Sequence, residues 1–180
     1  MDRVSIEDKK IVQFQLGRDI NNPFIVKRRC EWGYPICIES QLIYNDKPFP
    51  TLFWLTCPFL SKRVGRLEEK GTVKFLEKRI LENPQLRNKY LKANEDTIKL
   101  KKEMLKKYDG LKDWQIDSIL SRGIGGIRNL KTVKCLHLQL ANFLGGIENP
   151  IGKQVYELIE EHNCPENNVI CSIEQKKELK

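Results

Sequence analysis

No stretch of this chain approaches the ~20 consecutive apolar residues that crossing a bilayer requires, and residues 1–20 lack the apolar core of an export signal. The expectation is a cytoplasmic protein with no membrane partner. No Cys-x-x-Cys knuckle occurs among the six cysteines at 30, 37, 57, 135, 164 and 171. The pairs Cys30/Cys37 and Cys164/Cys171 are each separated by six residues, which matches no standard zinc or iron–sulfur spacing. In a reducing compartment these thiols are buried hydrophobes, metal ligands or reactive groups rather than a disulfide framework. Neither the P-loop pattern nor the dinucleotide fingerprint occurs, which removes the commonest signals of nucleotide binding. There is also no internal repeat, no low-complexity tract and no linker long enough to divide the chain.

What is present is 180 residues, 40% of them hydrophobic and 31% charged, enough for one ordinary domain with a core. The net charge of +8 is unevenly placed. Lys and Arg number 15 against 11 Asp and Glu over residues 1–84, 13 against 6 over 85–134, and 4 against 7 over 135–180. A basic middle of this kind attracts phosphates, nucleic acid or an acidic protein surface, although a Lys- and Glu-rich exterior can also serve stability alone.

The first 57 residues read as strands. Ile11–Leu16 alternates in part and ends at Gly17, Phe24–Cys30 has the charged end of an edge strand, and Ile36–Ile43 follows Pro35. Thr51–Cys57 is nearly all apolar and is expected to be the most buried strand. The remainder reads as helices: Pro58 to Glu69, Thr72 to Leu81, a long one from Pro84, Asp113 to Leu120, Thr132 to Leu144, and Pro150 to Glu161. In the long helix Leu86, Tyr90, Ala93, Thr97, Leu100 and Met104 form an apolar stripe, with Lys92, Lys99, Lys102 and Lys106 opposite. The expected class is α+β, a small N-terminal antiparallel sheet packed against a mostly helical C-terminal two-thirds. Residues 1–162 form a single domain in this reading, and 163–180 a polar tail.

Four groups of residues carry possible chemistry. The first is the turn Arg122-Gly123-Ile124-Gly125-Gly126, with Arg128 and Lys134 close behind it in sequence. Glycines allow several N–H groups to point into one concavity, and a helix start adds more, which is the chemistry of an anion site. The second is Cys57-Pro58-Phe59-Leu60-Ser61-Lys62-Arg63, the Cys-to-Arg spacing of tyrosine-phosphatase loops. Pro58 removes one of the amides such a loop needs and no glycine lets it wrap, so anion binding by Arg63 or Arg66 fits better than catalysis. The third is Cys135-Leu136-His137. On a helix, residues two apart diverge by about 200°, so either would serve a metal singly, joined by Cys30 or Cys57. The fourth is Trp32-Gly33-Tyr34 beside Lys27-Arg28-Arg29, where aromatics and cations could stack bases and hold phosphates.

Several stretches taken together carry a resemblance: Gln15-Leu16-Gly17-Arg18, Pro48-Phe49-Pro50-Thr51-Leu52, Leu55-Thr56-Cys57-Pro58, Val64-Gly65-Arg66-Leu67-Glu68, Gly125-Gly126, Val133-Lys134-Cys135-Leu136-His137 and Asn149-Pro150-Ile151-Gly152. In this order they resemble the bacterial family known as domain of unknown function 501, from about residue 11 to 155. The resemblance implies a bacterial, cytoplasmic, single-domain protein and brings no assigned activity. It aligns the family's glycine-rich segment with Gly123–Gly126 and its Cys-Leu-His element with Cys135, Leu136 and His137. Cys37, Cys164 and Cys171 belong to none of these motifs and read as packing or tail residues.

The leading expectation is a basic pocket for a phosphorylated or other anionic ligand. Arg63, Arg66, Arg122, Gly123, Gly125, Gly126, Arg128 and Lys134 would build it, and Cys57, Cys135 and His137 would line it. The alternative is a zinc or iron–sulfur site on Cys30, Cys57, Cys135 and His137. A third reading is a basic module for an acidic protein or nucleic-acid partner, docking through the lysine face of the long helix.

Overall fold

A computed structural model describes residues 4–172, and the expected α+β arrangement is what it contains. The chain begins with a helix rather than a strand: α1 spans Ile6–Leu16. Ser5 caps it by accepting the Asp8 amide at 3.0 Å, and Gly17, at φ 64°, ends it with amide bonds back to Gln13 and Phe14. The partial alternation of Ile11–Leu16 therefore belongs to a helix that buries Ile11 and Val12 and leaves Phe14 exposed.

Strands β1 (Phe24–Arg29), β2 (Pro35–Ser40) and β5 (Phe53–Leu55) form an antiparallel sheet in the order β1-β2-β5, with Phe24 opposite Ser40, Val26 opposite Ile38, and Ile38 opposite Trp54. β1 lies at an edge, as its charged end foretold. The expectation that Thr51–Cys57 is the most buried strand is corrected. The part of it that forms a strand, β5, is the other edge, whereas all six residues of the central β2 are buried. A two-stranded ribbon, β3 (Ile43–Tyr44) and β4 (Lys47–Pro48), turns through Asn45 and Asp46, both at positive φ.

The sheet separates two apolar clusters. A small one joins Val12 and Ile20 to Phe24 and Ile38, beneath α1. The large one lies on the other side, among the helices. These are α2 (Pro58–Glu69), α3 (Thr72–Glu82), α4 (Pro84–Leu105), α5 (Asp113–Leu120), α6 (Leu136–Leu144) and α7 (Pro150–Leu158). Pro58, Pro84 and Pro150 each occupy a first helical turn, where a missing N–H costs nothing. The helix expected from Thr132 starts at Leu136 instead. Thr132 closes a turn onto the Asn129 carbonyl, Lys134 sits at φ 61°, and Cys135 is extended at φ −151°. α7 likewise stops at Leu158, short of Glu161.

Residues 163–180, set apart in sequence as a polar tail, divide. Cys164 and Cys171 are buried and Trp32 donates to the Cys164 carbonyl at 2.9 Å, while residues 173–180 lie outside the described residues.

Candidate metal centre

The glycine-rich turn faces inward. Ile124–Gly126 forms one 3₁₀ turn, and the amides of Ile124 and Gly126 and of the flanking Gly123 and Ile127 serve the protein itself. Gly123 donates to Ile127, Gly126 to Gly123, Ile127 to Ile124, and Ile124 to the Asn94 side chain at 3.0 Å. The glycines permit close approach. A Cβ on Gly123 would stand 2.2 Å from Asn94 Oδ1, and one on Gly125 2.4 Å from Leu138 Cδ1. The turn's carbonyls accept a cation from within: Lys101, fully buried on α4, donates to Arg122 O at 2.9 Å and to Gly123 O at 3.0 Å. Burial, with the Arg122 charge adding to it, pushes the Lys101 ammonium down to about 8.

The arginines expected around this turn are differently placed. Arg63 pairs with Glu161 and stacks over the Phe59 ring, 3.4 Å from its centroid. Arg122 donates to the Gly126 carbonyl, while Arg66, Arg128 and Lys134 are exposed. Trp32 is committed to Cys164, and Arg29 clamps Asp8 through two bonds of 2.8 Å. Cys57 is 7% exposed and burial pushes its thiol up to about 11, the opposite of what a phosphatase nucleophile needs. The lysine face is as expected: Lys92, Lys99 and Lys102 are exposed on α4, and Lys106 at its C-cap.

The third group behaves differently. The 200° divergence expected of Cys135 and His137 assumed a helix through both. Cys135 stands in extended conformation immediately before α6, so its side chain can turn toward the face on which His137 sits in the first helical turn. Glu68, near the end of α2, completes a trio whose ligand-type atoms all lie within 4.8 Å of one another. It is the one such trio among the described residues.

Two of its members are held from behind. His137 Nε2 lies 3.1 Å from the Ser61 carbonyl, which can only accept, so this nitrogen carries the hydrogen. Nδ1 then faces Glu68 Oε1 at 3.3 Å, and that oxygen also accepts the Leu136 amide at 2.6 Å. An imidazole fixed through its far nitrogen and a carboxylate fixed by a backbone amide are the outer contacts that orient metal ligands. The adjacent Cys135 side chain, then the Glu68 carboxylate, hold the imidazole above its usual pKa against the opposing pull of burial. The site is open: the His137 and Glu68 side chains are 33% and 27% exposed.

Sequence reasoning found Cys135 and His137 and missed Glu68, which lies on another helix with no spacing to announce it. Cys30 and Cys57, grouped with them in sequence, belong elsewhere: both line a small cavity together with Cys164 and Cys171. No helix among the described residues is long and apolar enough to cross a membrane.

No curated protein and no solved structure matches the chain. A family model described as a protein of unknown function (DUF501) matches residues 26–157, a span that includes Glu68, Cys135 and His137 and ends before Cys164. Since that match covers well over half of the sequence, the chain belongs to the DUF501 family.

Proposed function

We propose that the protein binds a divalent transition metal, of which zinc is the best fit, through Cys135 Sγ, His137 Nδ1 and a Glu68 carboxylate oxygen. One observation carries this reading. With the Nε2 hydrogen committed to Ser61, two acceptors, Nδ1 and Glu68 Oε1, face each other across 3.3 Å beside a thiol. Acceptors that converge in this way call for positive charge between them, a proton on Nδ1 or a metal ion. A thiolate, an imidazole and a carboxylate are a donor set that zinc accepts at ~2.0–2.3 Å. Three protein donors leave a fourth tetrahedral position, and the partial exposure of the site gives water or a substrate oxygen access to it. This reading is preferred to an anionic ligand at Gly123–Gly126 because that turn commits its Gly123, Ile124 and Gly126 amides internally and offers carbonyls to Lys101.

The test is elemental analysis of untagged protein together with zinc titration of the chelator-stripped chain. Cys135→Ser and His137→Ala are expected to lose one bound ion while keeping the wild-type circular dichroism. Retention of the full metal content by both variants would leave the proton, and so an imidazolium beside a thiol, as the charge at this site.

A further inference from the structure

The four cysteines outside that trio, apart from Cys37, converge. Cys30, Cys57, Cys164 and Cys171 line one small cavity of about 10 Å³, with His162 and Trp32 at its wall. They come from three separate parts of the chain. Cys30 closes the β1–β2 connection, where its amide donates to Tyr34 O at 2.9 Å and its carbonyl accepts from Gly33. Cys57 immediately precedes α2 as its N-cap residue. Cys164 and Cys171 flank the short 3₁₀ turn Glu166–Asn168.

We infer that these four thiols form a second, closed metal site that takes a single zinc-class ion and fastens residues 159–172 to the sheet. A cavity of this volume admits about one water-sized or ion-sized sphere. Four thiolates are the donor set of a structural site, which keeps no open position. Cys57 stands at the N-cap of α2, where the free amides of the first helical turn favour negative charge. The need for an anchor is visible in the segment itself. Beyond Leu158 the described chain has one 3₁₀ turn and no helix or strand, yet Cys164 and Cys171 are 9% and 5% exposed. Side-chain ties also reach it: Trp32 to the Cys164 carbonyl, the Glu31 amide to Asn163 at 3.2 Å, Gln15 Nε2 to Cys171 Sγ at 3.2 Å, the Arg63–Glu161 pair, and His162 Nε2 to the Tyr156 carbonyl at 2.8 Å. Ligation at ~2.3 Å draws the sulfurs to about 3.8 Å of one another. No three of these sulfurs lie within 4.8 Å of one another, so binding draws them together and releases the thiol protons to solvent.

The two sites share no residue, so they fail separately. Chelator-stripped full-length chain, kept reduced, is titrated with cobalt(II), whose sulfur-to-metal charge-transfer absorption grows with the number of thiolates bound. The wild type is expected to show an intense thiolate-rich band that His137→Ala retains and that Cys30→Ser and Cys164→Ser each weaken. Zinc is expected to displace the cobalt and to protect residues 159–172 from limited proteolysis. A wild type that shows only the weak band of a single thiolate overturns the inference whatever the variants do. So does recovery of these cysteines as disulfides from protein handled with zinc and reductant.

Discussion

Two regions of this molecule gather charged and polar side chains, and they treat them in opposite ways. Around α4, the buried Thr97, Gln139, Asn142 and Asn149 are matched one to another, and the buried Lys101 and Asn94 to backbone groups. Asn149 donates to Gln139 Oε1 and Asn142 Oδ1 and caps α7 through the amides of Ile151 and Gly152. Asn142 donates to Thr97, and Gln139 to Tyr90. Donors meet acceptors throughout, so this network specifies packing. At the α2–α6 junction, by contrast, Glu68, Cys135 and His137 turn electron-rich atoms toward one point that remains partly open to solvent. Matched polarity in the interior marks structure, and converging acceptors at a boundary mark chemistry. The glycine turn, which by composition resembled a site, belongs to the first kind.

The strongest way to break this contrast is to disturb the turn and find that metal binding fails with it. Gly125→Ala places a side chain at φ 61° and a Cβ 2.4–2.9 Å from Leu138 side-chain atoms. The backbone cost and the overpacking together should remove about 3 kcal/mol. In a chain of this size that lowers the melting temperature by about 6–12 °C. Zinc stoichiometry below the transition is expected to stay at the wild-type value. A loss of metal from folded Gly125→Ala protein would merge the two regions into one.

Lys101 gives a smaller, pH-dependent effect. Its pKa falls from 10.5 to about 8 on folding, chiefly through burial, so the unfolded chain binds more protons between those values and stability rises with pH. The contribution is complete above pH 10.5 and is lost as pH drops through about 8. Denaturant midpoints of the wild type and Lys101→Met should therefore diverge in the wild type's favour by up to about 3 kcal/mol from pH 7.5 to 10.5. The buried Cys37, Cys57 and Tyr90 also titrate in that range, but they are common to both proteins and cancel. A difference that does not change with pH would show Lys101 to be neutral or solvated in the fold.

Much of the architecture was legible because its signals are local. Prolines opened α2, α4 and α7, and Gly71 separated α2 from α3, as their residue types dictate. The misreadings came from local signals that competed. Ile11–Leu16 alternates like a strand, but Ser5 followed by Asp8 three residues later and a terminal Gly17 are the caps of a helix. For the site, the obstacle was one backbone angle. Nothing in Val133-Lys134-Cys135 announces that Lys134 adopts positive φ, and that residue is what frees Cys135 from the helix and turns it to the side of His137. Glu68 and Lys101 were unreadable for another reason. Each looks like an ordinary charged residue of an amphipathic helix, and only tertiary contact sets one beside a thiol and buries the other beneath a turn.

The smallest expected change in stability is the sharpest test of the junction. Glu68→Gln keeps a side-chain oxygen able to accept the Leu136 amide and removes only the charge. If the role of Glu68 were packing, or capping α6, the variant would behave as wild type in every measurement. As a ligand, the carboxylate contributes charge that an amide oxygen lacks. The metal-free variant is then expected to lie within about 1 kcal/mol of the wild type by denaturant titration, because the retained hydrogen bond carries most of the local effect. Zinc affinity measured against a competing chelator should fall at least tenfold, since even groups that merely orient a ligand contribute about that much. Equal affinities for the two proteins would remove Glu68 from the ligand set and leave Cys135 and His137 short of the three protein donors that such a zinc site uses.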